Sequence, residues 1–261
     1  MNNKDILQRF LFENAPVRGE IVRLEESYQT IMQQHQYPPV IQQILGEMLV
    51  AVGLLIASIK FKGRITVQFQ GKNKMKLLLA QCNHQLHLRG LADWQGELTQ
   101  DELMADLKQG TLAITMDPEV DGGQRYQGIV AWQGHSLAHS LEDYFKRSEQ
   151  VATRLWIAVN EKCAAGLLIQ FMPHKSGQDE WEHIEHLTAT ITSDELLNLD
   201  NTTLLHRLYA EEDVRLFSPK SVMFQCNCSL ERSENALRLL GEEEVEQELQ
   251  AKQAIVVKCE F

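Results

Sequence analysis

Val222-Met223-Phe224-Gln225-Cys226-Asn227-Cys228-Ser229, answered near the end of the sequence by Val256-Val257-Lys258-Cys259-Glu260-Phe261, holds three of the chain's five cysteines. Each group follows a short apolar run with the composition of a strand. Cysteines at the tips of two strands stand where a metal knuckle places its ligands, because thiolates at paired turns converge on one tetrahedral ion. The usual paired spacing is C-x₂₋₄-C, so C-x-C is off the common zinc-ribbon pattern, and two neighbouring thiols can also oxidise to each other. Three thiolates leave a structural zinc site one ligand short. A C-x-x-C partner for Cys259 would fall at position 262, one beyond the last residue.

Working outward, size and composition bound the rest. A chain of 261 residues suits one large domain with a smaller one. Its 44% apolar and 23% charged residues are ordinary for a soluble globular protein. A net charge of -11 argues against a duplex nucleic-acid partner, which demands a basic footprint. No leader pattern opens the sequence, and the most apolar run, Met48 to Ala57, is too short to span a bilayer, so no membrane role is expected. Five unevenly spaced cysteines are no secreted disulfide framework; a cytoplasmic, reducing location is the expectation.

The pattern along the chain predicts an α+β fold: an N-terminal antiparallel-sheet domain with helices, a helical linker and a small C-terminal zinc-binding domain. Ile6, Leu7, Phe10 and Leu11 have the spacing of a short helix over Asp5 to Phe12, and Val17 to Leu24 passes as a strand. From Val40 to about Ile59 the spacing is helical and the later turns are apolar almost all round, which marks a buried core helix. The period then changes to two at Ile65, Val67 and Phe69, opening a meander through Met75 to Ala80 and Leu86 to Leu91. Thr99-Gln100-Asp101-Glu102 has capping-box spacing. Leu112 to Met116 and Tyr126 to Trp132 flank Asp121-Gly122-Gly123 as a hairpin. A helix through Leu137, Leu141 and Tyr144 precedes strands at Arg154 to Val159 and Leu167 to Phe171, joined around Ala164-Ala165-Gly166. Turn formers at Pro173 to Asp179 mark a boundary, giving expected domains of 1–178, 179–219 and 220–261. In the linker, a second capping box at Thr192 to Glu195 heads Leu196 and Leu197, and Leu204, Leu205, Leu208 and Tyr209 share one helix side.

These residues together resemble the heat-shock protein 33 family, redox-regulated holdase chaperones of the bacterial cytosol. The family's motif is C-x-C, about thirty residues, then C-x-x-C; here Cys226-Asn227-Cys228 is followed by residues 229 to 258 and then Cys259. Ser229-Leu230-Glu231-Arg232 and Arg207-Leu208-Tyr209-Ala210-Glu211-Glu212 are similar to the stretch after the first cysteine pair and to the linker. Ala15-Pro16-Val17-Arg18-Gly19-Glu20, Gly63 to Gln68, Tyr126 to Val130 and Ser148-Glu149-Gln150 match the N-terminal domain, so the resemblance covers essentially the whole chain.

The resemblance implies a zinc site with Cys226, Cys228 and Cys259 as ligands, a redox disulfide between Cys226 and Cys228, and no catalysis. It implies ATP-independent binding of unfolded or partly folded client proteins under oxidative and heat stress, with a homodimer when activated. Leu196, Leu197, Leu204, Leu205 and Leu208 are the candidates for client-binding surface; a helix face packed permanently on the core accounts for them equally well. A thiol–disulfide oxidoreductase using Cys226 and Cys228 is the alternative from another class, and a zinc-ribbon nucleic-acid module is the third. Cys82 and Cys163 read as small buried hydrophobes, and neither His183 with His186 nor His135 with His139 has the H-E-x-x-H arrangement of a metalloprotease. No phosphate-binding Gly-Lys loop is present.

Overall fold

The structure, a computed structural model, describes residues 5–120, 123–133, 136–172, 177–226, 228–241, 245–247 and 249–250. It forms two compact units, Met1–Phe224 and Gln225–Phe261. In chain order the elements are β1 (Ile6–Phe12), β2 (Val17–Leu24), α1 (Glu26–Gln34), α2 (Pro39–Ser58), β3 (Gly63–Gln70), β4 (Met75–Asn83), β5 (His87–Trp94), α3 (Gln100–Gln109), β6 (Thr111–Pro118) and β7 (Tyr126–Val130). There follow α4 (Leu137–Tyr144), which runs into a π-helical turn (Phe145–Glu149), β8 (Thr153–Val159) and β9 (Ala164–Phe171). Three short helices come next, α5 (Gln178–Thr188), α6 (Ser193–Asn198) and α7 (Asn201–Leu208), then β10 (Val214–Leu216), β11 (Lys220–Ser221) and β12 (Met223–Phe224). Helix α8 (Leu230–Leu240) lies in the second unit.

Two six-stranded sheets build the first unit. One has the order β10-β1-β2-β9-β8 with β11 also on β1, all antiparallel; the other runs β12-β5-β4-β3-β6-β7. Helix α2 packs against both. Its residues Ile41, Leu45, Met48, Leu49, Val52 and Leu55 share one buried cluster with Val22 and Leu168 of the first sheet and Val67, Leu78 and Leu88 of the second. That explains the absence of a polar face along its later turns, since each side meets a sheet. Its twenty residues are long and apolar enough to cross a bilayer, but 72% of the most apolar window is buried inside the fold. Two glycines admit the helix: a Cβ on Gly166 of β9 would stand 2.3 Å from Val50 Cγ1, and one on Gly90 of β5 would stand 2.9 Å from Leu49 Cδ2.

The sequence places several elements correctly and misplaces others. Ile6–Phe12 is a strand, not the helix expected from Ile6, Leu7, Phe10 and Leu11. Alternation decides it: Leu7 joins the cluster around α2, while Phe10 and Phe12 join a cluster on the opposite face of the sheet. Ala164-Ala165-Gly166 is part of β9 and pairs with β8; the turn lies earlier, where Asn160 N–H donates to Cys163 O. The region before α2 contains α1, for which local sequence offered no cap. Its first turn is capped from a distance by the Asp5 carboxylate, which accepts the N–H of Glu26 at 2.9 Å and of Ser27 at 2.6 Å. Both capping boxes form, Thr99 with Glu102 and Thr192 with Glu195. Asp121 and Gly122 of the expected hairpin turn, His135, and residues 173–176 at the expected boundary lie outside the described residues.

Candidate functional site

Two features carry the chemistry singled out by the sequence. The first is the face of the first sheet that looks away from α2. Val17, Ile21, Leu167 and Ile169 together with Phe10 and Phe12 make it strongly apolar, and helices α5, α6 and α7 lie over it. All five candidate leucines are packed there, with Leu204 at 1% and Leu197 at 7% exposed as the extremes. Trp181 and Ile184 contribute from α5, and Tyr209 closes the cluster just beyond α7. Segment 179–219 therefore folds within the first unit, as a lid on apolar strands.

Its helices are too short to stand alone. Six-, eight- and eleven-residue helices fall below the length at which isolated helices persist in water, so packing and caps hold them. Thr192 and Glu195 form the reciprocal cap of α6; those hydrogen bonds, from Thr192 first, keep the Glu195 carboxyl below its ordinary range. Asp200 caps α7 by accepting the Thr203 N–H at 3.0 Å, and the Thr203 hydroxyl holds its carboxyl low as well. Arg207 pairs with Glu195, tying α7 back to α6. At the lid's centre the Tyr209 hydroxyl meets Thr188 Oγ1 at 2.6 Å.

Phe10 and Phe12 are the residues that sequence reasoning missed in this role. The helical reading of the first strand hid them, although their one-residue spacing was itself a strand signal. Tyr209 sits edge-on to Phe12 with ring centroids 4.8 Å apart and lies 6.1 Å from Phe10.

The second feature is the cysteine pair in the second unit. Cys226 Sγ and Cys228 Sγ are 2.8 Å apart, with Cys226 half-buried and Cys228 exposed. Cysteine sulfurs are donors of the soft type that a thiophilic ion such as zinc takes, but Cys228 is here disulfide-bonded and not a thiolate. Cys259, the third expected ligand, lies outside the described residues, and among the described residues no group of three or more metal-ligating side chains assembles. The remaining thiols are of another kind. Burial pushes Cys82 up to about 12 and raises Cys163 as well, so both are held as unreactive thiols. Cys163 is covered by α6, its Sγ 3.9 Å from the Leu197 carbonyl oxygen.

Over residues 5–261 the sequence matches the family described as Hsp33 protein. The chain belongs to the Hsp33 family. It is 47% identical over 260 residues to the 33 kDa chaperonin of Shewanella sp. (strain ANA-3), covering 99% of this chain and 90% of that relative. It is 46% identical over 262 residues to the 33 kDa chaperonin of Nitrosococcus oceani, covering 100% of this chain and 90% of that protein. The fold is shared with the crystal structure of the 33 kDa chaperonin (heat shock protein 33 homolog) of Thermotoga maritima. The TM-score is 0.84 at 22% identity, over 99% of this chain and 92% of that one. The α+β architecture of two sheets and packed helices is thus a property of the Hsp33 family.

Proposed function

We propose that this chain is a chaperone of the holdase kind, gated by oxidation and independent of ATP, whose client surface lies beneath α5–α7. The observation that carries the reading is an apolar sheet face covered by three short helices that end shortly before a cysteine pair in the sequence. Family membership and the chaperonin names of the relatives support the same role, and with it a function without catalysis.

In this reading Cys226, Cys228 and Cys259 hold zinc in the reduced protein. Bound zinc would keep these sulfurs as thiolates and add folding energy to a unit with little core of its own. Peroxide supplies the oxidising equivalents. The thiolate of one cysteine attacks a peroxide oxygen, the O–O bond breaks, and the departing hydroxide takes a proton from solvent, giving a sulfenic acid and water; the thiolate of the other then attacks that sulfur, and the sulfenic hydroxyl leaves with a second solvent proton as water, forming the Cys226–Cys228 disulfide. That bond would take both sulfurs out of the donor set, leaving the second unit without the cross-link that a bound ion would supply. The lid then loses support and opens, exposing Leu196, Leu197, Leu204, Leu205 and Leu208 with the strand residues they covered. Unfolding polypeptides bind there by their own exposed apolar side chains, and the active form pairs with a second copy. The charge of -11 keeps such complexes soluble and leaves no role for nucleic acid or an anionic membrane. The cytoplasm, where cysteines stay reduced until stress, is the fitting location.

Light scattering from a heat-denatured client, without ATP, tests this with the protein reduced and after peroxide treatment at elevated temperature. Protection after oxidation alone is the expected result. Protection in both samples would retire the gating, and protection in neither would retire the holdase. Turnover of a small disulfide by the reduced protein would favour the oxidoreductase reading instead.

A further inference from the structure

Between α7 and the cysteine pair the chain runs through residues 214–224, which are held to both sheets in short pieces. Strand β10 pairs with β1 at Phe10 to Phe12, and β11 pairs with it at Ile6 and Leu7. The Val222 N–H donates to the Asp5 carbonyl at 3.0 Å, and the Met223 N–H to that of Leu86 at 3.1 Å, where β12 joins the second sheet. None of these strands is longer than three residues, so none has many hydrogen bonds of its own. The break between β10 and β11 falls opposite Gln8 and Arg9 of β1. There the Phe217 N–H donates to the Arg9 carbonyl at 2.9 Å.

A buried side chain occupies this break. Gln8 stands opposite Ile21 in the register of β1 and β2, on the apolar face beneath the lid, and is buried there. Gln8 Nε2 donates to the Phe217 carbonyl at 2.8 Å, and Gln8 Oε1 accepts from Asn201 Nδ2 at 3.1 Å. Asn201 is the first residue of α7 and is buried as well. One amide therefore joins the terminal strands to the start of α7, and its oxygen and nitrogen lie on a single planar group that moves as a unit. The main chain approaches α7 from the other end, where Tyr209 is seated on Phe12 and bonded to Thr188. Loosening carried along the chain meets that fixed residue before it meets the helix. At the Asn201 end the Asp200 cap and the packing of Leu204 also act, so the Gln8 contact adjusts the hold on α7 and is not the whole of it.

We propose that Gln8 is the positioning residue that couples the order of residues 214–224 to the first turn of α7. When Phe217 leaves β1, Gln8 Nε2 loses its acceptor within an apolar surround; the amide swings toward water and releases Asn201 in the same movement. The proposal rests on the reading of α5–α7 as a releasable cover, and it adds the route by which loss of order beyond Phe224 reaches that cover. Coupling of this kind runs both ways: loosening α7 at Asn201 weakens the hold on Phe217 by the same factor.

Peptide-resolved hydrogen exchange on the reduced full-length chain tests this without any client. Phe217→Pro removes the N–H that holds Phe217 to Arg9, and the side chain it replaces is 43% exposed. It should speed exchange of the α7 amides by about fivefold, the factor that one hydrogen bond supplies, with α2 unchanged. Combined with Gln8→Leu, the same substitution should leave α7 at the rate that Gln8→Leu alone gives, because the coupling is already gone. An unmoved α7 in Phe217→Pro would overturn the proposal, and so would an equal acceleration with and without Gln8→Leu. Should Phe217→Pro loosen α2 as well, Asn201→Ala decides in its place. It should speed exchange of residues 214–217 in the parent and not in combination with Gln8→Leu; no effect on that segment, or the same effect in both, would overturn the proposal. Coupling seen in exchange with no client protection after oxidation would support the role of Gln8 and remove the holdase. Client protection without the coupling would do the reverse.

Discussion

Tyr209 and Thr188 meet hydroxyl to hydroxyl at 2.6 Å inside the lid, and this contact joins the end of α5 to the end of α7. Thr188 Oγ1 also donates to the Ile184 carbonyl at 2.6 Å, so it serves as the acceptor for the Tyr209 proton. Tyr209→Phe keeps the ring on Phe12 and removes only the hydrogen bond. We expect it to cost the lid about 1 kcal/mol. An earlier rise in binding of an apolar dye on heating, with the main unfolding transition unmoved, is the measurement that checks it.

Leu204 is the most deeply buried of the five candidate leucines. Leu204→Ala should remove roughly 2–5 kcal/mol from the packing of α7 on the first sheet. Client protection by the reduced variant, where the parent gives none, is the expected result in light scattering. A variant as silent as the parent would show that loosening the lid is not sufficient for binding.

The sulfur pair leads to a metal prediction. Reduced protein prepared with zinc should hold the ion, and Cys228→Ser should lower the bound zinc measured after dialysis by at least about tenfold, since each thiolate contributes strongly to such a site. The same variant should not form the 226–228 disulfide and should fail to respond to peroxide. Unchanged zinc content would separate Cys228 from the site.

Glu20 supplies a pH dependence. It is buried on β2, and desolvation pushes its carboxyl from 4.5 up to about 7, with Arg18 and Arg9 pulling partly the other way. The folded state therefore binds the proton more tightly than the unfolded chain does. Stability should fall as pH rises from about 4.5 to about 7, and above that range the penalty of the buried charge is fully present. Glu20→Gln should accordingly stabilise the protein at pH 8 by roughly 3 kcal/mol at most and lose that advantage below about pH 4.5. Denaturant melts at both pH values check the sign.

Gly166 tests the packing of α2. Adding one methyl group against Val50 should cost roughly 1–3 kcal/mol by overpacking. Gly166→Ala should lower the midpoint of thermal unfolding while leaving the secondary structure, read by circular dichroism, in place.

Much of this was legible in sequence because it depends on local periodicity. Ile65, Val67 and Phe69 alternate as a strand must to bury one face, and the apolar surround of Val40 to Ile59 could only be satisfied by packing on all sides. The capping boxes at Thr99 and Thr192 are likewise complete within four residues. The cysteine spacing, together with the linker residues, was sufficient for the family. What failed was Ile6–Phe12, where the helical spacing of Ile6, Leu7, Phe10 and Leu11 outweighed the one-residue spacing of Phe10 and Phe12 that marks the strand.

Tertiary structure alone decided the rest. The cap of α1 comes from Asp5, whose own carbonyl accepts the Val222 N–H and so ties the start of the first unit to its last strands. Neither contact leaves a trace in local pattern, because donor and acceptor are remote in sequence. The same holds for the lid. Apolar spacing in Leu196 to Leu208 determined that these helices bury one side; whether that side met the core helix, a second copy or the outer face of a sheet depended on where Phe10, Phe12 and Ile169 came to lie. Sequence sets which faces must leave water, since that follows from side-chain chemistry and the period of the backbone. Only the assembled sheets determine which faces meet, because that choice is made by shape and hydrogen bonding across the whole chain.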